Sequence, residues 1–235
     1  MQRAERYSSW VCYNSSMNII LTSAGIKMPA IQGSILGLLP QEPSDLRLAH
    51  IITASQVAPD KTFVENDRLA MKKCGFDVTD ILLESLTIET AYPVLSQFDI
   101  IYVQGGNGFY LLKQARACGF EEAIRNILKD ENKWYIGVSA GTYIACPTIE
   151  MHLWKSEKDQ YGLDDLTAMN LVPFLVVVHY NREKHREMLA HYIPTASCPV
   201  RILTDNQALF VKDNIITLLG EGPEVSTSSI TLDDE

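Results

Sequence analysis

Short β-rich apolar runs alternate with amphipathic segments along most of this chain, and that alternation limits the folds open to it. "NIILTS" (18–23) reads as a first strand, and "GSILGLLP" after it as a short helix. "LRLAHIITAS" (46–55) reads as a second strand, whose Ile51-Ile52 pair suits burial on both faces. "DKTFVENDRLAMKKCG" (60–75) reads as a helix that turns Phe63, Leu69, Ala70 and Met71 to one face and stops at Gly75. A strand over 76–83, a short helix over 90–97 and a strand over 98–106 follow. Helices over 108–119 and 120–131 come next, then the strand "WYIGVS" (134–139), which leads into a helix. A buried strand over 171–180 precedes a helix over 182–193. Residues 200–220 read as two or three strands around turns at Asp205-Asn206 and Asp213-Asn214. This pattern predicts an α/β fold: a three-layer α/β/α sandwich around a mostly parallel sheet, with antiparallel strands near the C-terminal end. Residues 17–225 are expected to form a single catalytic domain. Residues 1–16 are expected to be a flexible extension, and 226–235 a loose, polar, acidic tail.

Composition narrows the function. Lysines and arginines number 20 against 29 acidic residues, a formal charge of −9, which argues against nucleic acid or an anionic membrane as a general partner. No apolar run approaches the roughly 20 residues of a membrane span. Residues 1–16 lack the apolar core of a signal peptide. Cys12, Cys74, Cys118, Cys146 and Cys198 are scattered, with neither a CxxC pair nor zinc spacing. They point to a reducing, cytoplasmic location and to no metal site. No dinucleotide fingerprint is present, and no cofactor is expected.

Three segments are expected at the carboxyl ends of strands, where open α/β sheets collect functional groups. They are "QGGNG" (104–108), "GVSAG" (137–141) and "VVVHYN" (176–181). G-x-S-x-G at a strand-to-helix turn can force a serine outward as a nucleophile, here Ser139; a plain structural turn is the alternative. A serine hydroxyl needs a base. His50 lies inside a predicted strand and suits a core role. His152 could lie near the site or on the surface, and His185 and His191 sit on a charged helix. His179 ends an apolar strand and is the best-placed base. The acid that would orient it stays open among Glu150, Glu157, Asp159, Asp164 and Asp165. The N–H groups of Ala140 and Gly106 are the natural oxyanion donors.

Together, "IIYVQGGNGFYLLKQARACG", "YIGVSAGTYIACPTI" and "LVPFLVVVHYN" resemble the S51 serine peptidases, a family that includes aspartyl dipeptidases and cyanophycinase. The resemblance spans roughly residues 17–220 and implies a fold like that of class I glutamine amidotransferases. It implies Ser139 as nucleophile, His179 as base, the N–H groups of Gly106 and Ala140 as the oxyanion hole, and Asn107 near the substrate. Counting forward from the serine, the dipeptidases' acid falls on Trp154, which has no carboxylate. Counting back from the histidine lands on Glu157, so Glu157 is the implied acid, with Asp159 and then Glu150 behind it. A basic residue after the histidine helps these dipeptidases hold acidic substrate, and Arg182 and Arg186 occupy that region. The expected activity is serine hydrolysis of a small peptide, of the Asp-X dipeptide type, by a monomer or homodimer. Another amide or ester substrate, or a silent binding protein on the same fold, are the alternatives.

Overall fold

The computed structural model describes residues 17–230, so the expectations for 1–16 and for 231–235 lie outside the described residues. The main sheet has seven strands in the order β3-β2-β4-β5-β1-β8-β9. They are β1 (Asn18–Thr22), β2 (Arg47–Ile51), β3 (Asp77–Ile81), β4 (Ile100–Val103), β5 (Trp134–Val138), β8 (Gln207–Lys212) and β9 (Ile215–Gly220). The first five run parallel; β8 and β9 are antiparallel additions beside β1. The β8–β9 hairpin turns at Asp213-Asn214, both at positive φ (51° and 62°), the backbone its tight turn requires.

β1, β4 and β5 are buried along their whole lengths, which is why they read as continuous apolar runs rather than alternating ones. Successive side chains still go to opposite faces. Ile19, Leu21, Ile101, Val103 and Tyr135 join one core. It is shared with α4 (Gly108–Ala117), α5 (Phe120–Ile127) and α6 (Ala140–Ala145). Ile20, Tyr102, Ile136 and Val138 join the other, with α1 (Pro29–Leu38) and α2 (Thr62–Lys73). The short helix α3 (Ile88–Leu95) packs beside α5. The result is the expected three-layer arrangement.

Two expectations need correction. The inward face of α2 is Val64, Asp67 and Met71, while Leu69 is exposed. Asp67 can be buried because Lys27 and Gln104 donate to its carboxylate. A one-turn helix, α7 (Met151–Trp154), follows α6 on the chain. The strand expected over 171–180 is only β6 (Leu175–Val177), and it does not enter the main sheet. It pairs in parallel with β7 (Val200–Ile202) in a separate two-stranded sheet, followed on the chain by α8 (Arg182–Tyr192). At the C-terminal end, Ile230 is buried against the core.

Candidate active site

The turn after β5 explains its own glycines. A Cβ at Gly137 would lie 2.6 Å from the Gly141 carbonyl oxygen, and one at Gly141 would lie 2.1 Å from that of Val103. Both positions therefore demand glycine if α6 is to pack this closely on the sheet. The Ser139 N–H donates to Thr22 O, and the Thr142 hydroxyl bonds to Thr22 O and Gly137 O, which ties the turn to β1 and β5. Ser139 itself is held at φ 49°, ψ −106°, a region an L-residue avoids. Such strain costs about 1–3 kcal/mol and persists only where surrounding contacts over-determine it.

His179 arrives just beyond the end of β6, also at positive φ (59°). Its Nε2 lies 3.1 Å from Ser139 Oγ, and its Nδ1 lies 2.6 Å from Asp205 Oδ1. The Asp205 carboxyl is held down to about 2, chiefly by the bond from His179 and against partial burial, with help from Ser23 and the charges of His179 and Lys27. An ionised carboxylate can only accept, so Nδ1 carries the proton and Nε2 is left to accept from the serine hydroxyl. Ser23 completes the frame. Its hydroxyl donates to Asp205 Oδ1 at 2.7 Å and accepts the His179 backbone N–H at 2.7 Å.

Ala140 follows Ser139 and opens α6, and Gly106 lies in the turn after β4. Gly106 has φ +140°, and a Cβ there would fall 2.3 Å from the Ala54 carbonyl oxygen. Gly105 brings its backbone against Ser139, with its Cβ position 3.1 Å from that of the serine. Among the described residues, the Gly106 and Ala140 N–H groups donate to no turn or loop carbonyl. Asn107, expected near substrate, caps α4: its Oδ1 accepts the Tyr110 N–H. Arg182 opens α8 on its exposed side, and Arg186 follows one turn later, half-buried.

Glu157, the expected acid, does not meet His179. Glu157 Oε2 lies 2.6 Å from His152 Nδ1, and His152 is buried against Tyr143 and Phe109. Partial burial works against the charged form of Glu157, but the His152 bond outweighs it and keeps the carboxyl below its ordinary value. Asp159 is occupied by the N–H groups of Tyr161 and Leu163, and Glu150 by that of Ser197. Trp154 stacks on Tyr192. The carboxylate that meets His179 is Asp205, which lies after the histidine in sequence. It lies outside the stretch between Ser139 and His179 that holds the expected acids; its one signal in the sequence is a carboxylate at the turn closing a predicted strand. Ser23, at the end of β1, carried no signal. His50 is the core histidine expected, fully buried between Asp80 and Gln104.

A serine on a strained strand-to-helix turn, bonded to an imidazole that is bonded in turn to a carboxylate, is the arrangement of the serine hydrolases. The sequence profile of peptidase family S51 matches residues 19–219. An uncharacterized peptidase of Pasteurella multocida is 32% identical over 74% of this chain and 84% of its own length. A peptidase E of a Nostoc species is 26% identical over 74% of this chain and 72% of its own. A crystal structure of a candidate peptidase E from Listeria monocytogenes superposes with TM-score 0.76 at 24% identity, covering 88% of this chain and 99% of that one, a likeness of fold. The chain belongs to peptidase family S51. Among the described residues, no helix is long and apolar enough to cross a membrane.

Proposed function

We propose that this chain is a serine-type dipeptidase acting through Ser139, His179 and Asp205. One observation carries the reading: the unbroken hydrogen-bond chain from Ser139 Oγ through the imidazole to Asp205. His179 Nε2 takes the hydroxyl proton as Ser139 Oγ attacks the scissile carbonyl carbon. The N–H groups of Gly106 and Ala140 receive the oxyanion. His179 then gives its proton to the departing amine, and an acyl-serine ester remains. Water, deprotonated by the same imidazole, attacks that ester and releases the acid product and the free serine. Asp205 holds the imidazole in the required tautomer and stabilises its charged form.

The substrate side is proposed as a small peptide with an acidic N-terminal residue, of the Asp-X type. Against a chain charge of −9, an acidic substrate would need local positive groups. Lys27 acts on Asp205, and Arg182, Lys184 and Arg186 lie on the helix after the base. Asn107 stands at the same rim. The free Cys74, Cys118, Cys146 and Cys198 favour a cytoplasmic setting. Hydrolysis of a panel of Asp-X dipeptides, neutral dipeptides and simple esters tests the reading. The expected result is turnover of Asp-X alone or best, abolished in Ser139→Ala. Turnover confined to esters, or surviving in Ser139→Ala, would overturn it.

A further inference from the structure

Between the two histidine–carboxylate pairs, His179–Asp205 and His152–Glu157, stands a half-buried lysine that the proposed mechanism does not use. Lys155 Nζ donates to the Tyr143 phenol oxygen at 2.8 Å and to the Val178 carbonyl at 3.3 Å. Each partner is one step from the reacting groups. Tyr143 is one helical turn along α6 from the serine, its N–H donating to Ser139 O. Val178 immediately precedes His179.

We infer that Lys155 is a positioning residue for the Ser139–His179 pair, a strut that fixes the carbonyl ahead of the base to the helix behind the nucleophile. The inference rests on the functional reading above. The geometry forms a closed ring: Ser139, the first turn of α6, Tyr143, Lys155, Val178, His179, and back across the 3.1 Å contact to Ser139. The ring matters because β6 is not part of the main sheet, so no ladder of that sheet sets the height of His179 over β5. The contacts that do so are few. The Val177 carbonyl is held by the Leu203 N–H, the His179 N–H by Ser23, the Tyr180 N–H by Leu203 O, and the Val178 carbonyl by Lys155. A left-handed residue between two such anchors has little freedom to drift, and a drift of about 1 Å at reacting atoms can cost a hundredfold in rate. Burial works against the charged form of Lys155, and the charges of Glu157 and Asp205 oppose that effect.

The test compares full-length wild type, Lys155→Met, Lys155→Arg, Tyr143→Phe and Ser139→Ala, reading kcat and KM on an Asp-X dipeptide and the rate of fluorophosphonate labelling. Lys155→Met keeps the packed stem and removes the donors. Its kcat and labelling rate are expected to fall at least tenfold, with KM within threefold. Lys155→Arg is expected to return to within about fivefold of wild type, because a guanidinium can reach both acceptors. Tyr143→Phe removes one acceptor and keeps the ring. It is expected to lose threefold to tenfold in kcat, and it decides the matter should Lys155→Met not fold. The inference is overturned by a folded Lys155→Met or Tyr143→Phe that keeps kcat within twofold while Ser139→Ala is dead, or by a Lys155→Arg as impaired as Lys155→Met. A wild type that neither turns over nor labels would instead bring down the functional reading, and this inference with it.

Discussion

His179 and Asp205 leave neighbouring parallel strands at the same end, just beyond Val177 and Ile202, which are themselves partners in register. Their side chains meet at 2.6 Å as a consequence of that pairing. The small sheet β6–β7 thus delivers the imidazole and the carboxylate together, while the large sheet delivers the serine.

Asp205 and Glu157 make opposite predictions. Asp205→Asn leaves an amide opposite Nδ1 that cannot enforce the tautomer, so kcat/KM on the active substrate should fall by about three orders of magnitude or more. Glu157→Gln should leave activity per folded molecule within about threefold and lower stability by roughly 1 kcal/mol, less than a fully buried charged hydrogen bond because the carboxylate is half exposed. Steady-state kinetics beside urea unfolding curves check both; a catalytic collapse in Glu157→Gln would contradict the assignment.

The depressed carboxyl of Asp205 also links folding to pH. Its ordinary value is 3.8 and its folded value about 2, so the unfolded chain takes up the proton first as pH falls. The stabilising contribution is complete above about 3.8 and is lost progressively as pH drops toward 2. Asp80, held at about 2 by His50 and Arg68 against partial burial, behaves the same way, so the signature of Asp205 is a difference. Between pH 5 and pH 3, wild type should lose more stability than Asp205→Asn. Equal losses in unfolding titrations would show that Asp205 is not held as described.

The glycines of the elbow carry a steric prediction. Gly141→Ala sets a methyl against the Val103 carbonyl, a backbone atom that cannot step aside. A destabilisation of about 2–3 kcal/mol is expected, with loss of activity as α6 lifts. A variant of wild-type stability by denaturant unfolding would refute the close packing of α6 on β4.

His50 and His179 should separate cleanly. His50 is bonded to Asp80 and Gln104 inside the fold, so His50→Leu should cost about 1–3 kcal/mol by stranding those partners, while the folded fraction still turns over substrate. His179→Ala should keep its melting temperature within a few degrees and lose turnover. The reverse pattern, read by thermal melts and kinetics on the same samples, would exchange their roles.

These contrasts show where the sequence was readable. The elbow, the parallel strands and the core role of His50 could be read because each is written locally, in small residues at fixed offsets or in apolar runs. Helix α2 misled because its inward face includes Asp67, whose burial depends on Lys27 and Gln104 from distant segments. Asp205 was missed because its approach to His179 is set by the parallel pairing of β6 with β7, and no local pattern records which strands pair. Ser23 was missed for the same reason, since its partners lie more than 150 residues away. Glu157 looked right by counting, but the turn of α7 carries it to His152 instead.

The central claim is that Ser139 is a nucleophile armed by His179, and covalent capture tests it most directly. Full-length protein treated with a fluorophosphonate and analysed by peptide mass spectrometry should carry a single adduct on Ser139, absent from Ser139→Ala and much reduced in His179→Ala. No adduct while a known serine hydrolase labels in the same buffer, or an adduct on another residue, would contradict it.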